Sequence, residues 1–243
     1  MDTGLEVSLK ENQHLLLKIF GSNSVIQLSE DYVQFEKNLK KSIIKTGNEK
    51  SLDIYVKLQS ANQHKIYDNY ARIFQLLRIL GVNNIYDIGC GNMYQAFLLI
   101  NYQSIFYTGI DYERSFVFEY MNKLFAEVCG DRIKFYEAEY PFVIDSTQNN
   151  AAISCFCLGT ILKDEKSIKN AACAISRDFE RIIMNIDGKY FNIWEAEMSL
   201  FKLYKIGDDG LIFGTKFSKD ICKIKEKYIC INNQFEIGFG NNT

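Results

Sequence analysis

The residues best suited to chemistry lie near the middle of the chain. Asp87, Ile88, Gly89, Cys90 and Gly91 close and follow a short branched apolar run, IYDIG, that comes directly after Asn84. Such a run reads as a buried parallel strand. A glycine pair just after it suits a turn at the strand's carboxyl end, where parallel sheets bind ligands. Gly89 permits the sharp turn and Gly91 permits close approach of a ligand to backbone. A second apolar run, residues 104–111, ends in Asp111, 24 residues beyond Asp87. That separation is one strand-helix-strand unit. A carboxylate at that strand end can accept both hydroxyls of a ribose, as acids do beside nucleoside cofactors.

The surrounding elements alternate in a way that positions these groups. Residues 66–80 have helical apolar spacing, and Gly81 is their expected end. Residues 90–102 read as a tight turn into a helix, and 114–130 as an amphipathic helix. RIKFYEAE supplies a third strand, 152–159 a fourth, and 181–187 a fifth. A helix runs from Asp164 to Ser176 between the last two. This alternation predicts an α/β, doubly wound, mostly parallel sheet. The tail after residue 200 has short apolar segments broken by GDDG and INNQ. It is expected to form antiparallel strands with hairpin turns. Upstream, residues 12–20 and 29–45 carry helical signals, so residues 1–81 are expected to be a helical N-terminal extension or lid, and 82–243 the α/β domain.

YDIGCG followed by YTGIDYE resembles the first two motifs of class I S-adenosylmethionine-dependent methyltransferases. The resemblance covers roughly residues 66–243. It implies methyl transfer, with S-adenosyl-L-methionine as cofactor. It implies that the loop of Asp87, Gly89, Cys90 and Gly91 wraps the methionine part and that Asp111 holds the ribose. It also places Glu137 and Ala138 by the adenine, with Tyr112 flanking adenine or ribose. Met93 stands where the family usually has a third glycine. SCFCLGT, residues 154–160, ends in neither an acid nor an asparagine-proline-proline-aromatic motif, which argues against base amino-methylation of DNA. No catalytic base carries over.

Two rivals remain. One is a scaffold that keeps the fold without activity, since fold does not determine function. The other is a dinucleotide-binding domain, whose third glycine would fall at Tyr94. An acid at Asp87 suits an ammonium-bearing cofactor better than a pyrophosphate.

Composition narrows the acceptor. Net charge is −2, from 28 basic and 30 acidic residues, which gives no global case for a polyanionic partner. A small-molecule substrate is therefore favoured, with RNA or protein as alternatives. Two lysine-rich stretches, Lys37 to Lys50 and Lys216 to Lys227, read as solvated faces. His14 and His64 lie in no motif. The seven cysteines are odd in number and mostly in apolar contexts, as expected of free thiols in a reducing cytoplasm, and no metal-ligand spacing stands out. The N-terminal residues lack a signal-peptide pattern, and no apolar run is long enough for membrane insertion. Trp194, with Phe191 and Ile193, is expected to pack rather than to wall a pocket. Nothing in the sequence speaks to oligomeric state.

Overall fold

The computed structural model describes residue 41 and residues 64–91, 94–99, 102–112, 115–142, 144, 149–155, 157–206, 211–231 and 237–238. The helical signals at 12–20 and, apart from residue 41, at 29–45, together with His14 and Met93, lie outside them.

Helix α1 (His64–Ile79) buries Tyr70, Ile73, Phe74, Leu76 and Leu77, spaced to share one face. It stops because Gly81 takes a left-handed φ of 73°. The Gly81 amide then donates to the Arg78 carbonyl (3.0 Å) and the Val82 amide to the Leu77 carbonyl (2.9 Å). This paired closure satisfies carbonyls that the helix end leaves orphaned. Leu80 and Val82 belong to the same hydrophobic cluster as α1 and the sheet, so the packing is continuous across residue 81.

Strands β1 (Asn84–Ile88), β2 (Phe106–Asp111), β3 (Ile133–Glu137), β4 (Asn150–Ser154) and β5 (Arg181–Asn185) are mutually parallel neighbours in the order β3-β2-β1-β4-β5. Strands β6 (Lys202–Ile206) and β7 (Leu211–Thr215) complete the sheet as an antiparallel pair, with β7 against β5. A two-residue β8 (Ile237–Gly238) edges β6.

One face of the sheet carries α1, α2 (Ser115–Cys129) and α6 (Ser218–Ile231), meeting Ile85, Tyr107, Ile133 and Phe135. The other carries α3 (Leu158–Ile161), α4 (Glu165–Asp178) and α5 (Phe191–Glu197), meeting Ile88, Ala152, Ile182 and Met184. Trp194 is fully buried on this second face, as packing predicts. Asp164 caps α4 by accepting from the Ser167 amide at 2.8 Å.

The expected doubly wound sheet with its antiparallel final hairpin is what forms. Three local expectations are corrected. Residues 218–231 are not a strand but α6, whose Ile221 and Ile224 recur at helical spacing and pack against α1's face. The segment after the glycine loop is a 3-10 turn at Tyr94–Leu99. Strand β4 ends at Ser154, not Gly159, because Leu158 already opens α3.

Candidate functional site

The strand order reverses between β1 and β4: from β1 the chain moves outward to β2 and β3, then returns to β4 on the other side. The carboxyl ends of these strands therefore flank a crevice, the usual ligand position in open α/β sheets. Gly89, Cys90 and Gly91 lie there. Gly89 has φ 77° and Gly91 φ 58°. The amides of Gly89 and Cys90 both donate to the Ile110 carbonyl, at 2.7 and 3.1 Å. The loop thus folds over the end of β2.

Asp111 is the junction of that arrangement. Its Oδ2 accepts from the Gly91 amide at 2.8 Å and its Oδ1 from the Tyr112 amide at 2.8 Å. Its carbonyl accepts from the Ala138 amide at 3.0 Å. Glu137 lies opposite Asp111 in the β2–β3 register. Tyr112 and Glu137 are exposed, Ala138 and Asp111 half-buried. Gly91, Asp111, Tyr112, Glu137 and Ala138 therefore share one strand-end surface. Among the described residues, a side chain added at Gly91 would meet nothing within 4 Å, so the space above it is open on that side. At Gly89 an added Cβ would collide with the Sγ and Cβ of Cys157. Cys157, just after β4, closes that side of the loop. Burial pushes its thiol up to about 11, so it stays protonated near neutral pH.

Asp87 lies beneath the loop, with no exposed surface. Strand alternation puts it on the face of Ile85, toward the α1–α2 core. Its Oδ2 accepts from the Tyr107 hydroxyl (2.6 Å) and Gln95 Nε2 (2.9 Å), and its Oδ1 from the Tyr70 hydroxyl (3.2 Å). Gln95 Nε2 also donates to the Cys90 carbonyl at 2.7 Å. Burial pushes the Asp87 carboxyl up to about 6. Those hydrogen bonds pull it down, and nearby Asp111 adds a smaller upward push. Burial likewise raises the hydroxyls of Tyr70 and Tyr107, which remain donors. Cys90 is buried in the same cluster.

Tyr70, Gln95, Tyr107 and Cys157 were not among the residues read as functional. One signal was available: an acid at an inward strand position requires donors around it. Which donors they are depends on packing. His64 begins α1.

Among the described residues, no group of three or more His, Cys, Asp or Glu is placed to hold a metal. No described helix is long and apolar enough to cross a membrane.

No family model matches the sequence, and no curated protein matches it. Solved structures do. DesVI of Streptomyces venezuelae superposes with a TM-score of 0.52 at 11% identity, over 66% of this chain and 96% of its own. Magnesium protoporphyrin IX methyltransferase (ChlM) of Synechocystis PCC 6803, solved with bound SAM, gives 0.49 at 10% identity, over 86% of this chain and 97% of its own. WbdD gives 0.48 at 15% identity over 64% of this chain, and the match takes in only 40% of the WbdD chain. At these identities the likeness is one of fold. The chain has a class I methyltransferase-like fold.

Proposed function

We propose that this chain binds S-adenosyl-L-methionine over the carboxyl ends of β1 and β2 and transfers its methyl group to a small-molecule acceptor. The observation that carries the reading is the coupling of Gly91 to Asp111. An open-sided glycine backbone is bonded directly to a half-buried carboxylate at the sheet's switch point. A carboxylate offers about four acceptor positions, so Asp111 can bond ribose hydroxyls while keeping its backbone donors. Gly89 to Gly91 would pass along the methionine part. Tyr112, Glu137 and Ala138 would border the adenine. Asp87 would act from beneath, supporting the loop as a buried anion rather than touching the ligand.

The bound sulfonium would supply an already electrophilic methyl group. The protein's part is then to position and to exclude water. An acceptor entering by β4 would meet Cys157, a neutral thiol, and apolar Leu158. That suits an acceptor that brings its own nucleophile. The free thiols suit a reducing, cytoplasmic setting, and a lid role for residues 1–81 belongs to the same proposal.

Two observations favour the rival scaffold reading. Both Asp111 carboxylate oxygens already accept from this chain's amides, and Cys157 packs directly on Gly89. Equilibrium dialysis with labelled S-adenosylmethionine, followed by transfer assays on pooled metabolites, RNA and protein, separates the two. Binding with transfer to a metabolite supports the proposal. Absence of binding by the folded protein supports the scaffold.

A further inference from the structure

We infer that Tyr70 and Gln95 are positioning residues for the glycine loop, holding the Asp87 carboxylate and the Cys90 carbonyl in one bonded set and making helix α1 part of the cofactor site. The inference rests on the cofactor reading above. Gln95 supplies the direct link: one amide nitrogen donates to Asp87 Oδ2 at 2.9 Å and to the Cys90 carbonyl at 2.7 Å. The Cys90 amide is meanwhile bonded to the Ile110 carbonyl. The Cys90 residue is thereby held at its amide by β2 and at its carbonyl by Gln95. Tyr70 acts one step away, because its hydroxyl is the donor to Asp87 Oδ1 that α1 contributes. Tyr107 completes the set from β2.

These donors favour one charge state. Each gives a hydrogen bond to the carboxylate, and such bonds strengthen when the acceptor is ionised. Among the described residues, the other titratable groups that influence Asp87 are Asp111 at the end of β2 and the thiols of Cys155 and Cys157 beyond β4. Cys90 lies in the loop itself. Each of these is neutral or acidic, so the buried ion is supported by donated hydrogen bonds. Removing one donor raises the pH at which Asp87 takes up a proton. A protonated Asp87 must itself donate, and the bonding around Gln95 and Cys90 then has to rearrange. The consequence reaches the loop without Tyr70 touching a ligand.

The test is calorimetric titration of S-adenosylhomocysteine from about pH 5 to about pH 8.5. The proteins are the full-length wild type, Tyr70→Phe, Gln95→Met and Asp87→Asn, with melting curves to confirm folding. We expect Tyr70→Phe and Gln95→Met to bind about tenfold more weakly near neutral pH, the size of a lost charge-assisted hydrogen bond. Their binding should also begin to fail at higher pH than the wild type's, while Asp87→Asn loses the pH dependence. If both variants bind like the wild type, or weaken by one factor at every pH, the inference is overturned. If the wild type itself binds nothing, the cofactor reading has failed instead. Ligand-free unfolding then decides the coupling. A Tyr70→Phe penalty larger at pH 8 than at pH 5 upholds the hydroxyl–carboxylate link, and an equal penalty refutes it.

Discussion

At the scale of single residues, the same type of side chain serves two different ends 24 positions apart. Asp87 is wholly buried and Asp111 half-buried. Burial raises the Asp87 carboxyl from its ordinary 3.8 to about 6. A folded-state value above the unfolded one means that folding is favoured by the protonated form. That contribution is fully present below about pH 3.8 and is lost as pH rises through about 6, a change of about 3 kcal/mol. Asp87→Asn carries no charge; its Oδ1 can still accept from Tyr107 and Gln95, while its Nδ2 must donate, so the Tyr70 hydroxyl turns to accept. Urea unfolding at successive pH values should therefore show the variant gaining on the wild type between about pH 4 and pH 7. A wild type that gains on the variant over that window contradicts the assignment.

The two glycines separate in the same way. Both hold positive φ, so alanine at either costs about 1 kcal/mol in backbone strain. Gly91→Ala adds little more to stability, because its Cβ meets none of the described residues, yet it should weaken cofactor binding. Gly89→Ala drives a Cβ into Cys157, and a contact with Cβ cannot be relieved by rotating the side chain. It should cost about 2–4 kcal/mol in total. Adding Cys157→Gly should return most of the excess, since the next atom is 3.9 Å away. Denaturation midpoints of the three variants check this.

At the scale of elements, the parallel strands were legible because strands buried on both faces are short continuous apolar runs. Arg181–Asn185, buried at every position around Ile182, Ile183 and Met184, is of that kind, and Asn84–Ile88 keeps the pattern apart from Asp87 and its half-buried Asn84 and Tyr86. Helix α6 was not, because Ile221 and Ile224 are separated by Cys222 and Lys223 in a tail whose turns suggest hairpins. What holds α6 also lay out of reach. Asp220 in its first turn accepts from Arg181 of β5, at 2.7 Å from Nε and 3.3 Å from Nη2, and from the Thr215 hydroxyl of β7 at 2.6 Å. The acid and its arginine are 39 residues apart. No local pattern pairs them. Both are buried, so removing Asp220 leaves the Arg181 guanidinium in the core with its longer pairing to Glu180 (3.4 Å) and its bond to Asn149 Oδ1 (3.1 Å), and without the bonds at Nε and Nη2. Asp220→Ala should cost about 3–5 kcal/mol, and replacing both by apolar residues of similar volume should recover much of it. Unfolding free energies of the single and double variants test this. An Asp220→Ala protein as stable as the wild type would show that the pair does not anchor α6. The candidate site divided along the same line. The glycines and Asp111 declared themselves by spacing within one strand-helix-strand unit. Tyr70, Tyr107 and Gln95 became visible only when packing brought α1, β2 and the 3-10 turn around Asp87.

At the scale of the whole molecule, the order β3-β2-β1-β4-β5-β7-β6 places one crevice between the two halves of the sheet. The glycine loop, Asp111 and Cys157 all come from strand ends that meet there. Five of these strands are parallel, and the antiparallel β7 closes the far side away from the crevice. The central claim is that this crevice receives the nucleoside of S-adenosylmethionine through Asp111. Calorimetry on wild type and Asp111→Ala, with S-adenosylmethionine and with NAD, tests it most directly. The account predicts that the wild type binds S-adenosylmethionine and not NAD. It also predicts that Asp111→Ala, still folded by its melting curve, binds roughly 5- to 150-fold more weakly, the loss of about 1–3 kcal/mol. Equal binding of S-adenosylmethionine by the two proteins, or binding of NAD alone, would contradict it.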